Sequence, residues 1–434
     1  MNGGRLGALA YGLRHLRAAP DVPALLAARS PQELARLVLM PAARNLGIAV
    51  AILPADLRAE ATAAILACRV LDAYEDLMNR PMASGAVLTA VGYLNGTTDT
   101  PPPPLDAVGA RDSETVDLLL AERIRDVREL LSALPPDGRQ RAGRMLVDVG
   151  RVMAQNLDST LPRSAYSEGV LGRAVLYACS LVTDDDGIET ELGELAGCIG
   201  TIAQLANDLR DGELELYGAG DLEELTTAVM LRLLIPALGG FALLAMIDGR
   251  TASRGARAAV AYMAITTTAF LCAAVGAPAP YRQRLRLVAA LLAGSSSSYW
   301  TTMLDRVRSS VDVAIDRTID GSRGGAETGR DGRPGPALQV FGLRGTRSLP
   351  PSIGPLVVGN VFALVRALPD DPLTGELPDI QVRRMMIADH LAFGAVERLD
   401  PGDVEAMRTL AAQFQVTALE NPDNIDTAPP GVRP

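Results

Sequence analysis

Lysine is absent from this chain of 434 residues, and all 41 basic side chains are arginine. We read that as a bias of nucleotide composition and attach no function to it. Histidine occurs only at His15 and His390, far apart in sequence, which argues against a His-based triad or a zinc site. Aromatic residues make up 4% of the chain, too few for an all-β sandwich, whereas the Ala, Leu and Arg richness favours helix. The four cysteines (Cys68, Cys179, Cys198, Cys272) show no C-x-x-C spacing, and each lies in an apolar stretch. They read as small buried hydrophobes in a reducing compartment. Basic runs are also missing. With 51 acids against 41 bases, a net charge of −10 and a pI near 5.0, the chain lacks the clustered positive charge that nucleic-acid binding requires. A phosphorylated small molecule remains compatible, because a divalent metal supplies positive charge locally.

The first residues carry no long apolar segment with a small-residue cleavage site, so a cytoplasmic location is the expectation. Residues 258–281 contain no charged side chain and are long enough to span a bilayer. The same stretch holds Thr266, Thr267, Thr268 and two prolines and is rich in alanine. A buried core helix is the preferred reading, and peripheral membrane association through this stretch is the alternative.

Helical periodicity runs from about residue 31 to residue 317, with helices predicted at 55–79, 116–134, 140–158, 169–182 and 188–217 and several more between 222 and 318. Strand-like alternation is scarce. Breaks fall at 96–104, which carries four prolines, and at 134–138. The Gly/Arg/Asp-rich residues 320–337 read as a flexible linker. Beyond them, 338–434 forms a C-terminal extension with a few helices and a loose tail from residue 420. The expectation is one all-α domain over 1–319, without an internal repeat of fixed period.

Two acidic constellations lie inside helices that are otherwise apolar. Asp72 and Asp76 are spaced i,i+4, so both carboxylates leave one helix face, with Arg69 three residues before Asp72. Like charges at that spacing repel unless a cation sits between them. The second constellation is Gln204, Asn207, Asp211 and Glu215, a single helical stripe that continues the small apolar residues 195–200. Buried polar groups left without partners cost about 1–3 kcal/mol each, so such stripes need a ligand or one another. Hard oxygen donors on two facing helices suit Mg²⁺, which completes its shell with water and substrate phosphates. The chemistry implied is ionisation of a diphosphate, with the metal taking up charge on the leaving group. The opposing reading is that each acidic pair is a solvated helix face. The run Asp184-Asp185-Asp186, followed by Gly187, reads as a solvated turn at a helix junction.

These motifs resemble the squalene/phytoene synthase family, the head-to-head trans-prenyl diphosphate synthases. Leu53-Pro54 with Arg58, then Cys68-Arg69, Asp72 and Asp76, is similar without a gap to the family's "LP-x-x-x-R … CR-x-x-D-x-x-x-D" signature. Gln204-Leu205-Ala206-Asn207 through Arg210-Asp211 resembles its "Q-L-x-N-x-x-R-D-x-x-x-D" block. Tyr177 falls where the family carries a tyrosine-bearing helix, and Tyr299-Trp300 through Arg308 is similar to its "Y-x-x-x-L-D-x-[IV]" helix. The resemblance covers residues 42–317. It implies an isoprenoid-synthase-type helical bundle around a central cavity. Asp72 and Asp76 would hold Mg²⁺ from one wall, and Asp211 and Glu215 from the other. Arg69 and Arg210 would neutralise diphosphate oxygens, while Gln204 and Asn207 would be polar contacts. Tyr177, counted with the four carboxylates as catalytic, and Trp300 would line the apolar cavity, where aromatic faces stabilise a carbocation. The activity implied is condensation of two farnesyl or geranylgeranyl diphosphates through a cyclopropylcarbinyl diphosphate.

This chain departs from the pattern in four places. The family's serine-rich "S-x-S-F" start is Ala43-Arg44-Asn45-Leu46, with Arg44 as the candidate replacement for the missing hydroxyls. Glu215 stands where the family has Asp, preceded by Leu214. Residues 180–184 replace a small Gly-containing stretch, and 338–434 has no counterpart. Two alternatives therefore stay open: a class I terpene cyclase acting on one prenyl diphosphate, and a non-catalytic helical interaction protein. No dinucleotide fingerprint is present, and reductive members of the family lack an ordinary one, which leaves NADPH use open.

Overall fold

In the computed structural model, the described residues are 20–105 and 114–322, without 162, 186, 190–191, 194–195, 198, 201–202, 205–242, 245–246, 248–249 and 275. Helix accounts for 81% of the interpretable residues and strand for none, so the fold is all-α as expected. The chain divides into two compact units: Met1–Glu189 with Thr251–Met263, and Thr190–Arg250 with Ala264–Pro434.

The first unit contains α1 (Val22–Leu26), α2 (Pro31–Ile52), α3 (Ala55–Leu77), α4 (Arg80–Leu94), α5 (Thr115–Glu122), α6 (Ile124–Ser132) and α7 (Pro136–Asp158). After them come α8 (Arg163–Ser167), a π-helical turn at Glu168–Gly172 and α9 (Arg173–Thr183). Helix α3 is the axis of this unit, packing against α2, α4, α5, α6, α7 and α9. Its sequence explains the position. Ala61, Ala63, Ala64, Ala67 and Ala73 are all buried, and their small side chains let neighbouring helices approach from several directions. Helices α4 and α7 pack closely because Gly150 lies against Val91, where an added Cβ would meet Val91 Cγ2 at 2.4 Å.

Helix starts and stops follow local chemistry. Ser30 Oγ accepts from the Glu33 amide at 3.2 Å, and the Glu33 carboxylate accepts from the Arg29 amide at 2.9 Å, closing the first turn of α2 from both sides. Pro41 removes a donor from α2, and the helix kinks at Arg44, whose φ is 47°. Residues 116–134, predicted as one helix, form two. Arg123 leaves helical geometry between α5 and α6, donating from Nη1 to the Leu25 carbonyl at 3.2 Å and from Nε to Asp126. The helix predicted at 169–182 begins earlier, at Arg163, and passes through the π turn. Asp184 ends α9 in the left-handed conformation, and the Asp185 carboxylate accepts from the Gly187 amide at 2.9 Å.

Helix α10 (Arg254–Ala274) begins in the first unit and continues into the second. It ends short of residue 281, where Gly276 takes a φ of 66° and the Ala277 amide donates back to the Cys272 carbonyl at 2.7 Å. The stretch predicted to be a core helix is largely buried over α10, including Ala261, Tyr262, Ile265, Thr266, Thr268 and Cys272. Among the described residues the helix long and apolar enough to cross a membrane is α2, and about half of that apolar window (56%) is buried. The second unit also holds α11 (Arg286–Ser295) packed against α12 (Ser297–Ser322), with Trp300, Met303, Leu304 and Val307 buried at helical spacing. The expected domain end at 319 falls inside α12. Apart from 320–322, the expected linker at 320–337 and the extension at 338–434 lie outside the described residues.

Candidate functional site

The Asp72 face of α3 carries a half-buried charge cluster. Arg69 Nη1 donates to Asp72 Oδ2 at 2.9 Å, its Nε donates to Asp117 Oδ1 at 2.8 Å, and its Nη2 donates to Asp117 Oδ2. Asp117 comes from α5, which packs along α3, and its side chain is only 9% exposed. The guanidinium thus makes a two-point fork with Asp117 and a single contact with Asp72. Asp76 is exposed one turn further along α3, and its charge also acts on Arg69. On the flank, Tyr166 donates its hydroxyl to Glu75 Oε2 at 2.7 Å, and the Asn156 side chain also hydrogen-bonds Glu75. Tyr166 lies two residues before the π turn, a deviation that often accompanies functional sites.

Negative charge is in excess here. Asp72, Asp76 and Asp117 act on one arginine, and Glu75 adds its carboxyl beside Asp72 and Asp76. Burial pushes the Asp72 carboxyl up from its ordinary value, with Arg69 pulling against it. Burial likewise lifts Asp117 to about 6, against the pull of Arg69, and lifts Glu75 to about 7 with the charges of Asp72 and Asp76 adding to it. For Arg69 burial works against the charge, but Asp72 and Asp117 outweigh it and hold the guanidinium above its usual value. The Cys68 thiol, pushed up to about 12 by burial and by Asp72, is not a nucleophile.

An acid whose folded pKa is raised adds most to stability below its unfolded value, and that contribution is lost as pH rises through the folded value. For Glu75 the window runs from about 4.5 to about 7. In metal-free buffer the unfolding free energy should therefore fall between about pH 4.5 and about pH 7. Glu75→Gln should remove about 1–2 kcal/mol of that fall, after discounting for partial exposure. Denaturant titrations at several pH values test this, and an unchanged slope would count against a buried Glu75.

The other candidate residues lie elsewhere. Tyr177 is buried on α9, donating its hydroxyl at 3.4 Å to Glu60, so it sits against a second ion pair rather than the Asp72 cluster. That pair joins Glu60 of α3 to Arg141 of α7, with Nε–Oε1 at 3.2 Å and Nη2–Oε2 at 3.0 Å. Burial and the Glu60 charge hold the Tyr177 phenol well above its usual value, which keeps it a proton donor. A cleft of about 320 Å³ in the first unit is lined by Tyr177 with Asn95, Arg144, Asp148, Arg173 and Glu189, and not by Asp72 or Asp76. Arg44 is exposed at the α2 kink and makes no ion pair among the described residues. Trp300 is fully closed off from solvent in the second unit, a core position. Gln204 is buried, whereas Asn207, Arg210, Asp211 and Glu215 lie outside the described residues.

Among the described residues no group of three or more His, Cys, Asp or Glu side chains is arranged to hold a metal ion. The Asp72–Asp76 pair still fits Mg²⁺ chemically: two hard carboxylates in surplus negative charge, of the kind Mg²⁺ uses together with water and substrate phosphates. Asp117, Glu75, Tyr166, Glu60 and Arg141 escaped the sequence reading. Asp117 had one visible signal, a lone acid in the apolar run Val116–Leu120. Comparison of the chain with protein-family models, with curated proteins and with solved structures finds no match.

Proposed function

We propose that this chain is a Mg²⁺-dependent prenyl-diphosphate-processing enzyme that couples two C15 or C20 units, as the squalene/phytoene synthases do. The observation that carries this reading is the Arg69–Asp72–Asp76 face, where the motif residues lie in a surplus of carboxylate that one arginine does not balance. When bound, Mg²⁺ would supply the Lewis acidity that stabilises a departing diphosphate. Asp72 and Asp76 would hold it, and Asp211 and Glu215 would be further ligands. The donors at Arg69 Nη1 and Arg210 would take diphosphate oxygens as charge develops there. A cytoplasmic enzyme acting on apolar prenyl chains would gain from peripheral membrane contact.

Mass analysis of products from C10, C15 and C20 diphosphates with Mg²⁺, with and without NADPH, tests the proposal. Two-unit coupling is expected to give a C30 or C40 hydrocarbon skeleton. A product that keeps the carbon count of one substrate would assign the chain to class I cyclisation. No product from any of the three would favour the non-catalytic helical protein.

A further inference from the structure

The fork between Arg69 and Asp117 has no counterpart among the motif residues that carry the family resemblance. We propose that Asp117 is the positioning residue of this site. It keeps Arg69 paired when a divalent cation takes Asp72, and this rests on the cation-site reading given above.

The geometry supports a division of labour within one guanidinium. Nε and Nη2 are committed to Asp117, while Nη1 alone reaches Asp72 at 2.9 Å. A cation arriving at Asp72 and Asp76 therefore competes with one of the three hydrogen bonds and leaves the fork intact. Without the Asp117 carboxylate, Arg69 would have Asp72 as its remaining hydrogen-bonded anion among the described residues. It would then close over Asp72 as a built-in competitor for the cation. Arg69 is half-buried, and Asp72 is the anion already within hydrogen-bond reach of it. Asp117 is suited to the task because it arrives from a different helix, α5. It can hold Arg69 without itself joining the Asp72–Asp76 pair.

The test is Mn²⁺ binding to the full chain without substrate, read by electron paramagnetic resonance, in four proteins: wild type, Asp117→Asn, Arg69→Gln and the double variant. Asp117→Asn is expected to weaken Mn²⁺ binding about tenfold, the scale on which partners behind metal ligands act. In the Arg69→Gln background the same change should shift affinity by less than about twofold, because the competitor is gone. An unchanged affinity in Asp117→Asn, or an equal loss in both backgrounds, would overturn the proposal. Should circular dichroism show Asp117→Asn unfolded, Arg69→Gln alone decides. Tighter Mn²⁺ binding is expected, and unchanged or weaker binding would overturn the proposal. Asp72→Asn separates the two levels. If wild type binds Mn²⁺ no better than Asp72→Asn, the cation site itself fails. If Asp72→Asn loses binding while Asp117→Asn does not, only the positioning role fails.

Discussion

Glu60→Ala should cost about 3–5 kcal/mol of unfolding free energy. Both members of the Glu60–Arg141 pair are buried, at 4% and 8% exposure, and the carboxylate receives two bonds from the guanidinium and a third from the Tyr177 hydroxyl. Removing Glu60 takes from Arg141 its two-point buried partner. Asp184, whose side chain is 65% exposed, reaches Arg141 at 3.4 Å and is too solvated to compensate. The pair ties together α3, α7 and α9, and Gly138 at the start of α7 makes room for it: an added Cβ there would lie 2.4 Å from Glu60 Oε2. Replacing both partners with methionine should cost far less than Glu60→Ala, because no buried charge is then left over. Denaturant unfolding of the full chain, followed by circular dichroism, measures both. A loss below about 1 kcal/mol for Glu60→Ala would mean the carboxylate is hydrated in solution.

Asp72→Ala should lower Mg²⁺-dependent diphosphate release by at least about 100-fold, the scale of losing one electrostatic stabiliser of a developing anion. The same change should leave stability nearly unaltered. Burial raises the Asp72 carboxyl, so its charge is not a net support for the fold, and Arg69 keeps its fork with Asp117. Kinetics and unfolding measured on one preparation therefore separate a ligand from a structural ion pair. If activity and stability fall together, Asp72 is holding the helices rather than a cation.

The all-α fold could be read from sequence because helical periodicity and aromatic poverty agree with each other. The Asp72–Asp76 face was legible for the same reason, since its spacing lies within one helix. Its partners were not. Asp117 meets Arg69 across 48 residues, Arg141 meets Glu60 across 81, and Tyr166 meets Glu75 across 91. No local pattern encodes such meetings, which depend on how α5, α7 and α8 pack around α3. The division of 116–134 into α5 and α6 has the same origin. No Gly or Pro marks the break, and Arg123 leaves the helix where it meets the Leu25 carbonyl. At the α2 kink a local signal did exist in Pro41. Gly138 and Gly150 show the reverse relation, helix-weakening residues placed where another side chain must come close.

The sequence carries two acidic constellations, Asp72 with Asp76 and Gln204 through Glu215. The proposed chemistry requires both, which makes cation dependence the sharpest property to measure. The most direct measurement is release of inorganic pyrophosphate from C15 and C20 prenyl diphosphates by the full chain across a Mg²⁺ titration. The account predicts saturable release that rises with Mg²⁺ and disappears in EDTA. Absence of release at every Mg²⁺ concentration, or release indifferent to EDTA, would contradict it.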